Sequence, residues 1–262
     1  MKKLLVSIFS IMSLWGCKES IQDFGDLDFL TANDAIVKIN MASVYPDDRY
    51  MYVKFNDQRV TPKIRAREPY PGGGYNTRGD SRPDFLKVAA GQISIKVCLP
   101  HKVDNGLDSI VLSEQTVTVS PGQQYTVHIT DTAANTKMFV AQESLARPDS
   151  SFATYRFVNL MPNVEALDLY YGAAANSVGQ DSLIARNIKY GEVSEYFTIR
   201  RAATRTWKIR RAGDPVTDAT VLALYTNASS TLDKRSYTAY ALGYAGFTSA
   251  IMRPYISFYL VR

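Results

Sequence analysis

Histidine and cysteine are both scarce in this chain of 262 residues, which has two of each. His101 and His128 are far apart in the order of strands, and no Cys or His stands at metal-ligand spacing, so no metal site is expected. The Gly-x-Ser-x-Gly turn of serine hydrolases and the phosphate-binding Gly-Lys-Ser/Thr loop are absent. Gly72-Gly-Gly74 runs on into Tyr-Asn-Thr, with no lysine and no helix behind it. Glu192 and Glu195 could face each other as paired carboxylates only if the loop geometry allowed, and the segment reads as structural. The expectation is therefore a protein without a cofactor and without catalytic residues. Helical periodicity is also missing, and no apolar stretch is long enough to span a bilayer as a helix. A formal net charge of +5 is too slight to argue for a nucleic-acid partner.

The N-terminus carries the most specific signal. Met1-Lys2-Lys3 is a positive n-region, and Leu4 to Leu14 is an apolar h-region too short to cross a membrane. Leu14-Trp15-Gly16-Cys17 follows and resembles the lipobox of bacterial lipoproteins, with Trp15 where a small residue is usual. The resemblance implies cleavage after residue 16 and acylation of Cys17, hence attachment to the outer membrane through that lipid. Residues 17–33 then read as a tether. Lys18-Glu19 partly resembles the surface-export signal of Bacteroidetes lipoproteins, but Ser20 interrupts it, and both the periplasmic face and the cell surface stay open. Cys98 is left without a partner, and its place near the end of an apolar strand marks it as a small buried side chain.

Short alternating runs fill the rest and predict stacked sheets. Val37, Ile39 and Met41 alternate with Ile36, Lys38 and Asn40, which is the pattern of a strand with a buried face. Further strands are expected over 50–55, 85–88, 92–99, 109–119, 126–130 and 137–142. Tyr125 follows the Ser120-Pro-Gly turn like the tyrosine corner of immunoglobulin-type sandwiches. The order then repeats. Ala153-Thr-Tyr-Arg-Phe-Val-Asn matches Ala35-Ile-Val-Lys-Ile-Asn, residues 206–210 take the place of 93–97, and Ser236-Tyr-Thr matches Gln124-Tyr-Thr. The expected fold is all-β: two tandem immunoglobulin-like or Greek-key sandwich domains, 34–147 and 148–262, after a signal peptide over 1–16. The segments Arg156-Phe-Val-Asn-Leu-Met-Pro-Asn, Leu167-Asp-Leu-Tyr, Tyr190-Gly-Glu-Val-Ser-Glu-Tyr and Ser236-Tyr-Thr-Ala-Tyr-Ala-Leu-Gly resemble the domain of unknown function 4397. That resemblance covers most of 150–262 and, more faintly, 35–145. It implies a β-sandwich of the bacterial cell envelope and no established activity.

Three features are candidates for binding. The first is the loop over 61–83, too long for a plain hairpin connection, in which Tyr70 and Tyr75 offer rings suited to stacking on sugars. The second is the basic row of Arg200, Arg201, Arg205, Lys208, Arg210 and Arg211 in the second half. Residues 150–262 hold 13 basic and 8 acidic side chains, and if Trp207 and Ile209 point inward, Lys208 and Arg210 point outward. That places them either on a solvated strand face or on a basic surface that meets phosphates or an acidic polysaccharide. The third is Arg78-Gly79-Asp80, an integrin-type tripeptide that recurs by chance. The expected role is a non-catalytic, lipid-anchored binding or structural module for a glycan or an envelope protein. An accessory glycan-binding lipoprotein of a polysaccharide uptake system is the alternative, with adhesin and hydrolase behind it.

Overall fold

A computed structural model describes residues 29–262 except 104, 106, 145, 147, 150, 174–177, 201–204 and 227–233. Residues 31–262 form one compact unit. Cys17, the signal peptide, most of the tether and Arg201 lie outside the described residues.

The fold is an all-β sandwich. The first half holds β1 (Asp34–Met41), β2 (Tyr52–Phe55), β3 (Gln58–Arg59), β4 (Glu68–Tyr70), β5 (Leu86–Ala89), β6 (Gly91–Pro100), β7 (Asp108–Val119), β8 (Gln124–Thr130) and β9 (Lys137–Glu143). The second half holds β10 (Phe152–Asn159), β11 (Ala166–Gly172), β12 (Ser182–Lys189), β13 (Phe197–Arg200), β14 (Thr206–Arg211), β15 (Ala223–Thr226), β16 (Ser236–Leu242) and β17 (Tyr255–Leu260). Each half pairs two sheets. In the first, β4-β1-β8-β9, with β5 also on β1, faces β3-β2-β6-β7; in the second, β13-β10-β16-β17 faces β12-β11-β14-β15.

The same parallel strand pairing occurs in both halves. β1 runs parallel to β8 with Ile36 opposite Gln124, and β10 runs parallel to β16 with Thr154 opposite Ser236. This register makes Lys38 the counterpart of Arg156, Thr126 of Thr238, and His128 of Tyr240. Alternation sends Val37, Ile39, Val127 and Ile129 into the first core, with Ile95 and Val97 across from them. Tyr155, Phe157, Tyr237 and Ala239 enter the second core, against Leu169, Trp207 and Ile209. The Tyr125 hydroxyl accepts a bond from the Ser120 amide at 3.1 Å, the upstream tie expected of a tyrosine corner.

The alternate residues of β1 and β8 are polar but also buried: Lys38, Asn40, Thr126, His128 and Thr130 are all 0% exposed. They face the second half. Thr130 Oγ1 donates to the Leu160 carbonyl at 2.8 Å, and Val158, Leu160, Tyr240 and Tyr259 form an apolar cluster with Ala42 and Val44. The sheets therefore stack in four layers, with β1-β8-β9 and β10-β16-β17 back to back in the middle.

A buried ion pair joins these two layers. Arg156 Nη2 lies 2.6 Å from Glu143 Oε1, which also accepts from Thr126 Oγ1 at 2.6 Å and Tyr259 Oη at 2.8 Å. Arg156 Nη1 donates to the Gln142 carbonyl at 2.8 Å. Beside them, Asn40 Nδ2 stands 3.1 Å from His128 Nδ1. Burial, and then the charge of Arg156, hold the His128 imidazole down to about 3, so it is neutral in the fold at ordinary pH.

Candidate functional site

The four side chains singled out for binding are mostly committed to structure. Tyr70 lies in β4 opposite Ile39 and packs half-buried on the first core, just before a cis bond to Pro71. Tyr75 packs on the second core, its ring 5.6 Å from that of Tyr237. The long loop is a strap between the halves. The Phe258 amide donates to the Tyr75 carbonyl at 2.9 Å and the Leu260 amide to the Gly73 carbonyl at 2.8 Å, so the strap pairs with the free edge of β17. Asn76 Nδ2 donates to the Ile256 carbonyl at 2.6 Å, and Ser257 Oγ donates to the Asn76 carbonyl at 2.7 Å. A Cβ added at Gly74 would sit 2.0 Å from the Phe258 carbonyl oxygen, so glycine alone permits this approach.

Lys38 anchors the strap from below. Its ammonium donates to the carbonyls of Pro71 and Asp84, both at 2.5 Å, and lies 4.6 Å from the centre of the Phe85 ring. Burial brings this amine down to about 8, partly offset by Asp84 and Glu143.

Lys208 and Arg210 do point away from Trp207 and Ile209, as alternation requires, but they do not reach solvent. Both are 0% exposed and share one carboxylate, with Lys208 Nζ 2.7 Å and Arg210 Nη2 2.9 Å from Asp181. The Arg210 guanidinium also stands 4.7 Å from the Tyr170 ring centre and donates from Nε to Thr220 Oγ1 at 3.2 Å. A solvated or ligand-facing basic row is thus replaced by a buried ion cluster, because the segment bearing Asp181 folds over this face of the sheet.

The Arg-Gly-Asp tripeptide is likewise engaged within the chain. Arg78 Nη1 lies 2.7 Å from Asp48, and Asp80 pairs with Arg82 at 2.6 Å. Cys98 is buried, and burial pushes its thiol up to about 11. It is not poised as a nucleophile. Among the described residues, no group of three or more His, Cys, Asp or Glu side chains is placed to hold a metal ion.

An open groove of about 580 Å³ lies between β15 and the start of β17. Tyr225, Phe247 and Tyr255 line it with Leu224, and Arg253 and Asn76 supply its polar edge. Phe247 and Leu224 are about half exposed, at 50% and 49%. The Tyr225 ring rests on Phe258 of the core at 5.4 Å, and Phe247 packs on Tyr244 at 5.9 Å, so neither ring hangs free. Two guanidiniums stand over the Tyr255 ring, Arg67 at 4.0 Å and Arg253 at 4.8 Å. Its hydroxyl donates to the Ala250 carbonyl at 2.5 Å and accepts from Arg253 Nε at 3.0 Å. Asn76 brings the strap of the 61–83 loop into the wall of the groove. Rigid aromatic faces beside amide and guanidinium donors make a surface matched to ligands with apolar faces and polar edges.

Sequence reading missed this groove because its walls come from three separate segments, near 76, 221–226 and 247–255. Arg253-Pro-Tyr255 before the last strand was the local signal available.

Comparison with known proteins finds a family model, "Domain of unknown function (DUF4397)", that matches residues 39–170, just over half of the chain. The match lies on the first half and the opening strands of the second, whereas the resemblance read from the residues was placed mainly on 150–262. No curated protein matches the chain. Among solved structures, a family 41 carbohydrate-binding module from streptococcal virulence factors, described for alpha-glucan recognition, is similar at 9% identity. That likeness covers 79% of this chain and 92% of the other, with a TM-score of 0.23. A leucine-rich repeat protein from Bacteroides thetaiotaomicron is similar at 13% identity over 83% of this chain and 27% of its own, with a TM-score of 0.20.

Proposed function

Because the chain belongs to the family of domain of unknown function DUF4397, whose description names no activity, we propose a function from the groove itself: a non-catalytic module of the cell envelope that binds a glycan between β15 and β17. The observation that carries this reading is the half-exposed Phe247 ring beside the partly buried rings of Tyr225 and Tyr255 in one open groove of a rigid sandwich. Sugar rings stack on such faces, while Asn76 and Arg253 meet hydroxyl groups. The lining has no carboxylate, histidine or cysteine to act as acid, base or nucleophile, which favours binding over turnover. The lipobox-like Leu14-Trp-Gly-Cys17 supports acylation of Cys17 and attachment to the outer membrane.

A glycan-array screen of the full chain in detergent tests the site. Binding that is lost in Tyr255→Ala and Phe247→Ala, with thermal stability retained, is the expected result. Binding untouched by both substitutions, or none to any glycan, defeats this assignment. Anchoring is tested separately: Cys17→Ser is expected to abolish palmitate labelling and release the protein from the membrane fraction.

A further inference from the structure

The charge of the groove narrows its ligand, and the following step rests on the glycan reading above. Arg253 is the single charged residue among the described residues that line the groove. Its Nε is used by the Tyr255 hydroxyl, and no carboxylate among the described residues pairs with its two Nη groups. Arg67, over the same ring, donates only to neutral acceptors, the carbonyl and side-chain oxygens of Asn76 at 2.9 and 2.7 Å. Behind it, Arg65 and Arg78 share Asp48 at 2.8 and 2.7 Å, and Glu68 accepts the Arg65 amide at 3.2 Å. Arg65 and Arg78 thus have carboxylate partners, whereas Arg253 and Arg67 meet only neutral acceptors among the described residues.

We propose that the groove takes an acidic glycan, a uronate-bearing oligosaccharide whose carboxylate seats on Arg253, held by Tyr255, while its sugar rings lie on Phe247 and Tyr225. A guanidinium presents paired donors at the spacing of a planar carboxylate, whereas sugar hydroxyls match that fork poorly. Tyr255 holds the fork in place through both its ring and its hydroxyl, so little side-chain freedom is lost on binding. The positive field of Arg67 behind the ring favours the same sign of ligand.

The test compares polygalacturonate oligomers with their carboxyl-reduced, neutral counterparts, titrated calorimetrically into the full chain in detergent. The acidic oligomer is expected to bind about tenfold or more tightly, the usual scale for one charge-assisted contact, and to weaken as salt is raised. Arg253→Gln is expected to bring its affinity down to that of the neutral oligomer, and Arg253→Lys to recover part of the difference. Tyr255→Ala is expected to weaken both. Equal binding of the two oligomers by the unmodified protein, or discrimination that survives in Arg253→Gln, overturns the acidic-ligand inference and leaves the glycan groove standing. Failure of every glycan, acidic and neutral alike, overturns both.

Discussion

Lys38 and Arg156 occupy the same step of the same parallel strand pair, one in each half, and each is almost wholly buried. They are satisfied in different ways. Lys38 meets neutral carbonyls, those of Pro71 and Asp84, and fastens a loop of its own half. Arg156 meets Glu143 of the other half and fastens the halves together. A point charge on a flexible stem suits scattered carbonyls, while a planar fork suits a carboxylate. Two like positions are thus both cationic while the partner, and hence the task, differs. The two clefts diverge similarly. The cleft that corresponds to this groove in the first half is lined by Leu99, Ile110, Val111 and Tyr45, and its Arg49 is paired with Asp47 at 2.8 Å. In the groove of the second half, Arg253 has no carboxylate partner among the described residues.

The strongest way to break this comparison is Glu143→Ala, which strands Arg156 in the interior. A loss of about 3–5 kcal/mol is expected from urea unfolding, as for other halved buried pairs. Gly74→Ala comes next, at about 2–3 kcal/mol, since the new Cβ meets main chain that cannot move aside. Gly191→Ala is expected to cost less, about 1–2 kcal/mol, because its clash is with the Phe139 ring and its positive φ of 82° supplies the remaining strain. Equal losses at the two glycines would contradict the assignment of Gly73–Tyr75 as an edge-pairing strap. Lys38→Met is expected to remove about 1–3 kcal/mol and to speed hydrogen exchange across 61–83 more than in the strands of the second half. Uniform exchange would show that Lys38 does not act through the loop.

A titration sharpens the same contrast at smaller amplitude. His128 is held near 3 in the fold against an ordinary value of about 6.5, so the unfolded chain takes up the proton first. Stability is full above pH 6.5 and declines as pH falls towards 3, by up to about 1.4 kcal/mol per pH unit from this group. Replacing His128 by its counterpart, His128→Tyr, is expected to remove that part of the slope. An unchanged pH profile of the urea midpoint would place the acid sensitivity elsewhere.

The periodic features of the fold could be read from the residues. Val37, Ile39 and Met41 announced which face of β1 is interior, and Tyr-Thr at 125–126 and 237–238 announced the repeat. Parity also gave the correct side of β14 for Lys208 and Arg210. Their burial was hidden because it depends on Asp181, 27 residues away from Lys208, on a segment whose course no local pattern dictates. The burial of Lys38, Thr126 and His128 is hidden for the same reason. A second sheet covers them, and polar side chains paired across an interface have the same sequence pattern as polar side chains in water. Tyr70 and Tyr75 stood out by residue type in an irregular loop, yet the loop's Gly72–Gly74 run was the better clue, since backbone that must touch backbone calls for glycine.

The strap also sets an order of events. The Asn76 side chain waits for the Ile256 carbonyl, 180 residues further along the chain. Until β17 has formed, Gly73 and Tyr75 have no amides to receive, and closing so wide a span comes late and slowly. Asn76 is at the same time a wall of the groove. The groove is therefore complete only where the strap of the first half lies against β17 of the second.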